Sequence, residues 1–430
     1  MKKDILKTII RDFHVNPIPD LVERDISLPD RSGKIISIVG VRRGGKTSLL
    51  LNRTAHLVRD GLDRSRIIYI NFEDERLDLK THDLDLIIQA YRELYPDLDL
   101  QECYFLFDEI QNIDGWEKFV RRIYDSITKN IFITGSNSKF LSSEIATSLR
   151  GRTLSIEVLP LSFREYLRFH NQPIDLVGSQ SKAALQNRFL QYLSDGGFPE
   201  LVHIANTIRG SVLQEYFNVM LYRDMVERYQ ISNAPLLKYF LKRLLSSATK
   251  SVSINSIYNE LKSSGLKIGK NQLYEYFEIC QNIYLAFSLS KYSYKPAVRE
   301  LGERKIYAVD NGLLNAVTFR FSNNYGKALE QLVFLQLKRQ GKDIFFYKDK
   351  SECDFIVKEG EKPVSAIQAA WTLDDEKTRK RELRGLVDAC KSLGLKEGLI
   401  VTADTDEETE KDGVTIEIRS FVKWALKSSL

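Results

Sequence analysis

The sequence predicts an α/β protein built around a phosphate-binding loop at the edge of a parallel sheet. Three observations carry that expectation. Residues 35–50 read IISIVGVRRGGKTSLL, with Gly40, Gly45, Lys46 and Thr47 at the spacing G-x-x-x-x-G-K-T. A β-branched run precedes that loop and a helical SLLLNRTAHLV follows it. Further apolar runs at 67–72 (IIYINF), 104–107 (YFLF) and 130–134 (NIFIT) have the length of buried parallel strands.

The loop is the most informative stretch. Glycines let the backbone curl so that successive N–H groups point at phosphate oxygens, and the positive end of the following helix adds to them. The expected contacts run through Gly40, Arg42, Arg43, Gly44, Gly45, Lys46, Thr47 and Ser48. Lys46 is placed to reach the outer phosphates as a point charge. The Thr47 hydroxyl is placed to complete the shell of a Mg²⁺ ion.

Composition bounds the rest. With 430 residues and 43% hydrophobic content the chain can bury more than one core, and roughly two to four domains are expected. Cys103, Cys280, Cys353 and Cys390 stand apart, without the C-x-x-C pairing of a zinc or redox site. They read as reduced thiols of a cytoplasmic protein. The amino-terminal MKKDILKTIIRDFHV mixes charged with apolar residues, unlike a signal peptide, and no run approaches a membrane span. A net charge of +5 is modest, so any nucleic-acid contact must come from a local patch.

The first 33 residues read as a helical lead-in, in which Arg24 either touches the nucleotide or is solvated. The run 67–72 closes in Glu73, Asp74 and Glu75, which either support an attacking water or cap the next loop. The run 104–107 is followed at once by Asp108 and Glu109, the second half of the site. Asp108 is expected on the metal side, and Glu109 as the base that orients and deprotonates water. At the tip of the fourth run, Thr134, Ser136 and Asn137 compete to sense the γ-phosphate or the water. Arg150 and Arg152 end the next helix, either as its carboxyl-terminal cap or as an arginine delivered to a neighbouring subunit.

The segments GVRRGGKT, INFEDERL, YFLFDEIQNIDGWEKFVRRIYD, FITGSNSKFLSSEIATSLRGRT and LPLSFREYL together resemble the AAA-type ATPase family of archaea and bacteria. In that family an AAA-like core precedes a carboxyl-terminal region labelled only as a domain of unknown function. The resemblance runs over nearly the whole chain. It implies an ATP-binding core of the additional-strand class, in which a strand lies between those carrying the two Walker motifs. It also implies Lys46, Thr47, Asp108 and Glu109 as the functional set, with Ser136 or Asn137 as sensor and Arg150 or Arg152 as finger.

Four domains follow: a core over 1–160, a helical lid over 161–233, a winged helix over 234–325 and an α/β domain over 326–430. The lid is implied by the same resemblance, and Gly196, Gly197 and Pro199 break two of its helices. Residues 238–305 carry 12 lysines and arginines against five glutamates and no aspartate. Helix, turn, helix and β-hairpin there give a winged helix, with Lys267, Lys270, Asn271, Gln272 and Tyr274 toward a major groove and Lys291, Lys295 and Arg299 toward phosphate. In the last domain Glu330, Asp354 and Gln368 resemble the metal-binding set of the restriction-endonuclease-like fold. Gln368 stands where an acid is usual, and Ala370 where a lysine is usual, with Lys377 or Lys380 as its replacement. An inactive, structural or DNA-docking copy is therefore favoured over a working nuclease.

The expected activity is Mg²⁺-dependent ATP hydrolysis coupled to double-stranded DNA or a DNA-bound partner. The rival is an ATP-driven switch that binds a protein, without nuclease activity. A homo-oligomer is expected in either case if an arginine acts in trans.

Overall fold

The computed structural model describes residues 1–29, 32–136, 149–295, 302–318 and 324–427. Asn137 and Arg299 lie outside the described residues. The chain forms two compact units, 1–159 and 160–430. Among the described residues, no helix is long and apolar enough to cross a membrane.

In the first unit, helix α1 (Lys2–Val15) is followed by irregular chain, so the lead-in is helical only over its first half. Then come β1 (Ile35–Gly40), α2 (Lys46–Arg59), β2 (Ile67–Asn71), α3 (Asp85–Leu94), β3 (Tyr104–Asp108), α4 (Trp116–Ser126), β4 (Ile131–Gly135) and β5 (Thr153–Val158). The strands form one sheet in the order β2-β3-β4-β1-β5, every neighbouring pair parallel. β1 and β4 are buried along their whole length, as strands covered on both faces must be. The order places β4 between the strands that carry the loop and the acid pair. Register then aligns their ends: Val39 pairs with Gly135, Phe107 with Ile133, and Asn71 with Asp108. Gly40, Asp108 and Thr134 thus share the carboxyl edge of the sheet, where parallel sheets bind ligands.

The second unit opens with α5 (Phe163–Phe169), α6 (Ser179–Asp195) and α7 (Asn206–Val219), the last continuing as a π-helical turn over Met220–Glu227. Next come α8 (Ala234–Leu245), β6 (Ser251–Val252), α9 (Ile254–Ser263), α10 (Lys270–Asn282), β7 (Ala286–Ser290) and β8 (Arg304–Ala308). Their strands form a small antiparallel sheet in the order β6-β8-β7. After α11 (Asn311–Val317) and α12 (Tyr325–Arg339) come β9 (Asp343–Lys348), β10 (Glu352–Glu359), β11 (Lys362–Ala369), α13 (Glu376–Leu393), β12 (Glu397–Thr402), β13 (Glu407–Lys411), β14 (Val414–Ser420) and α14 (Phe421–Lys427). A six-stranded mixed sheet, β13-β14-β12-β11-β10-β9, takes α13 onto a core of Ile356, Ala366, Leu386, Val387, Ile400 and Ile416.

The parts of this unit are stitched together at Asp310. Its fully buried carboxylate caps α11 by accepting from Leu313 N at 2.9 Å, and also accepts from Gly197 N at 2.6 Å after α6. Asn311 donates to the carbonyls of Leu193 and Ala328, tying α6 to α12. Gly196 takes φ 79° and ψ −164°, a region open in practice only to glycine, and a Cβ there would meet Asp310 Oδ1 at 2.0 Å. Gly196→Ala should therefore lower unfolding stability by at least about 1–3 kcal/mol from backbone strain alone, read by denaturant unfolding.

Burial pushes the Asp310 carboxyl up to about 6, against the pull of the backbone amides that donate to it. A carboxyl whose folded value exceeds its unfolded one favours folding at low pH. Its contribution is complete below about 4 and lost as pH rises through about 6. Relative to Asp310→Asn, the wild type should lose on the order of 3 kcal/mol between pH 4 and pH 7. A difference independent of pH would refute that assignment.

Candidate functional site

The loop between β1 and α2 is shaped by close approach. Gly40 takes φ 152°, and a Cβ on it would meet Val158 O of β5 at 2.0 Å. Gly45 is left-handed at φ 96°, and so is Arg43 at φ 64°, an uncommon conformation for a side-chain-bearing residue. Arg24 neither reaches outward nor stays solvated. Its guanidinium donates to Gly44 O at 2.9 Å and Leu159 O at 2.8 Å, bracing the loop from the irregular lead-in. Arg42 pairs with Glu73 at 3.3 Å, while Asn71 and Asp74 side chains cap the turn after β2, which favours the capping alternative for that acidic run.

Asp108 is the centre of the site. It is almost fully buried at the end of β3. Its Oδ2 accepts from Thr47 Oγ1 at 2.8 Å and from the Tyr69 hydroxyl at 3.0 Å, while its Oδ1 accepts from Thr134 Oγ1. Burial holds its carboxyl above the ordinary value, and hydrogen bonds from Thr134 and Thr47 act the other way. Burial, followed by the Asp108 charge, raises the Tyr69 phenol well above its usual range, so Tyr69 remains a donor. Thr134 also accepts from Glu109 N at 2.9 Å, so one hydroxyl reads both acids.

Glu109 sits at φ 51°, a strained left-handed backbone at the strand end. Gln111 donates to its Oε2, and its Oε1 lies 3.6 Å from Lys46 Nζ. Lys46 is itself buried and donates to the carbonyls of Gly40 and Val41, each at 3.1 Å. The geometry thus brings Gly40, Lys46, Thr47, Asp108 and Glu109 together. Of the two described candidates at the tip of β4, Thr134 is the one bonded to the acids. Ser136 Oγ is buried and has no hydrogen-bond partner among the described residues. Arg152 is held by Asp125 at 2.9 Å and lies over the Tyr124 ring, whereas Arg150 is exposed at φ 50°.

A second cluster lies in the carboxyl-terminal domain, against a cavity of about 800 Å³ lined by Glu330, Asp354, Gln368, Glu382 and Trp371 among others. Glu330 on α12 and Asp354 on β10 do converge, but on a cation, with Gln368 of β11 beside Asp354. Lys305 of β8, 2% exposed, lies 2.9 Å from Asp354 Oδ1, 3.2 Å from Glu330 Oε1 and 2.7 Å from Glu352 Oε1. Burial would lower its pKa. The charges of Asp354 and Glu330 outweigh that and hold it well above the ordinary lysine value. Glu330 is itself pushed upward, by burial first and the Asp354 charge second, with the Lys305 charge acting the other way.

Gln368 is committed elsewhere. Its Oε1 accepts from Asp354 N at 3.1 Å and its amide donates to Glu382 Oε2 at 2.6 Å, an orientation its two partners fix. Among the described residues, no three acid, histidine or cysteine side chains are arranged to hold a metal. The residues do not fit the implied Mg²⁺. Neither Lys377 nor Lys380 reaches the acids: both are exposed, and Lys380 pairs with Glu376 at 2.6 Å. The available signal was Lys305 itself, a cation of the strand RKIYA that alternation places in step with Tyr307.

A loop of this shape, beside a strand ending in paired acids on a parallel sheet, defines a P-loop nucleotide-binding protein. Comparison places it further. Residues 32–167 match the AAA domain, 186–324 a domain of unknown function designated DUF8612, and 325–421 another, DUF4143. The chain is 38% identical over 440 residues to the uncharacterized protein MJ1544 of Methanocaldococcus jannaschii, covering 99% of this chain and 96% of that one. It is 30% identical to an uncharacterized protein of Haemophilus influenzae over 395 residues, covering 92% and 94%. The chain belongs to the family of these proteins, an AAA-type P-loop ATPase family. Among solved structures, Cdc6p of Pyrobaculum aerophilum overlaps 77% of this chain and 92% of its own at 12% identity, with a TM-score of 0.26.

Removing the Thr134 hydroxyl strands the Glu109 N–H and frees one Asp108 oxygen. Thr134→Val should lower the ATP hydrolysis rate about tenfold or more while nucleotide binding, read by fluorescence titration, changes little. Loss of binding instead would make Thr134 a scaffold of the loop.

Proposed function

We propose that the protein hydrolyses ATP with Mg²⁺ at the carboxyl edge of its parallel sheet and couples the cycle to DNA, or to a partner on DNA, through residues 234–325. The observation that carries the hydrolytic half is the Asp108 carboxylate, buried and held by Thr47, Tyr69 and Thr134 beside Glu109. Two hard oxygen donors, Thr47 and Asp108, suit Mg²⁺, which when bound would neutralise phosphate charge. The loop amides and the start of α2 would hold the phosphates. Lys46 would leave the Gly40 and Val41 carbonyls for a phosphate oxygen. Glu109, oriented by Gln111, would take the proton of the attacking water. Thr134 would position both acids. Arg150, exposed while Arg152 is engaged with Asp125, is the better candidate for an arginine acting on a neighbouring copy.

For the coupling half, the order α8, β6, α9, α10, β7, β8 and the sheet order β6-β8-β7 support a winged helix. Lys267, Lys270, Asn271 and Tyr274 are exposed before and along α10, and Lys295 is exposed beyond β7. Gln272 instead donates to Tyr276 at 2.8 Å within the helix. The basic excess of the segment is smaller at the surface than its count, because Lys305 is buried among acids from beyond the segment.

Glu109→Gln should retain ATP binding and lose hydrolysis by about 100-fold or more, measured as phosphate release. Double-stranded DNA should raise the wild-type rate several-fold, less so at higher salt, and Lys267→Ala with Lys270→Ala should blunt the effect. A rate indifferent to DNA, with ATP binding intact, would transfer the reading to the protein-binding switch.

A further inference from the structure

The carboxyl-terminal cluster contains a buried ammonium where the restriction-endonuclease-like resemblance calls for a metal. Lys305 reaches three carboxylates within 3.2 Å, from two elements: Glu330 on α12, and Glu352 and Asp354 at the start of β10. Two further donors bond these acids. Asp354 Oδ2 accepts from Ala369 N at 3.1 Å, and Glu330 Oε1 accepts from the Tyr307 hydroxyl at 2.8 Å. Gln368 has its carbonyl on Asp354 N and its amide on Glu382, whose other oxygen accepts from Arg381 Nε at 3.0 Å.

We infer that Lys305 is a permanent, chain-supplied replacement for a divalent cation, so that this cavity is a metal-independent site in a domain shaped like a nuclease. Permanence follows from how β8 is held. Gln331 on α12 both donates to Ala308 O at 2.6 Å and accepts from Ala308 N at 2.9 Å, an amide clasp on the strand backbone. The Tyr307 ring stacks on Phe334 of the same helix with centroids 4.0 Å apart. The strand that delivers the cation is therefore fixed to the helix that supplies Glu330. Withdrawing β8 from α12 would break the clasp, the stack and the Lys305–Glu330 ion pair together. A divalent ion entering the cluster would meet carboxylate oxygens already bonded to an ammonium, and a positive charge held among them.

The inference stands apart from the ATPase reading, because its test uses no nucleotide. The full chain is titrated with Mn²⁺, following the ion by electron paramagnetic resonance and the protein by thermal unfolding, as wild type, Asp354→Asn, Lys305→Ala and Lys305→Ala with Asp354→Asn. The wild type should show no Mn²⁺ binding that Asp354→Asn removes. Lys305→Ala should melt lower, take up one Mn²⁺ per chain and regain several degrees, and the double variant should lose that rescue.

Mn²⁺ bound by the wild type and lost with Asp354→Asn would overturn the inference. So would a folded Lys305→Ala that gains no ion. If Lys305→Ala does not fold, Lys305→Met is read in its place, and the wild-type comparison decides on its own.

Discussion

The first unit depends on taking the charge of Asp108 out of water without neutralising it. An isolated carboxylate in a protein interior is costly, and the usual remedies are an ion pair or protonation. Here the remedy is a shell of neutral donors, Thr47, Tyr69 and Thr134, drawn from α2, β2 and β4. Each donor fixes the position of its own element relative to β3. The strand order that puts β4 between β1 and β3 is what makes such a shell possible, because hydroxyls from both sides can then reach one carboxylate. The cation of the loop, Lys46, is meanwhile turned back onto the loop carbonyls.

The rest of the loop follows from the same crowding. β5 passes so close that a side chain at Gly40 would collide with Val158 O, and Arg24 ties Gly44 O of the loop to Leu159 O just beyond that strand. A loop braced by a strand and a guanidinium is preorganised. Its amides need not be gathered at the moment a phosphate arrives, which is where electrostatic stabilisation gains most.

Much of this could be read in the chain, and the reason is local. Strands β1 to β4 are covered on both faces, so each appears as an uninterrupted apolar run whose end marks the ligand edge, and the acids and glycines fall there. The loop spacing then names Lys46 and Thr47, and the acid pair names Asp108 and Glu109. What the sequence did not disclose rests on distant partners or on exposure. β5 and β13 are only partly covered, and runs such as TLSIEV and EETEK lack the apolar continuity that marks a buried strand. Thr134 could not be chosen over Ser136 and Asn137, because the choice depends on which residue faces β3 across the sheet. Arg24 finds its carbonyls 20 and 135 residues away, and Lys305 its acids 25 to 49 residues away, on elements that no periodicity links to them.

The two buried acidic centres differ in what balances them, and that difference assigns the chemistry. Around Asp108 the donors are neutral, so an added cation meets an uncompensated charge and gains from entering. Around Asp354 an ammonium already supplies the positive charge, anchored by a strand that is clasped and stacked onto α12. An added cation there would have to evict a buried charge before making a single bond of its own. A carboxylate is catalytic in this kind of fold only while it can accept something. By that criterion Asp108 remains open to a cation, while the carboxyl-terminal domain uses the same residue types as a fastening between α12, β8 and β10.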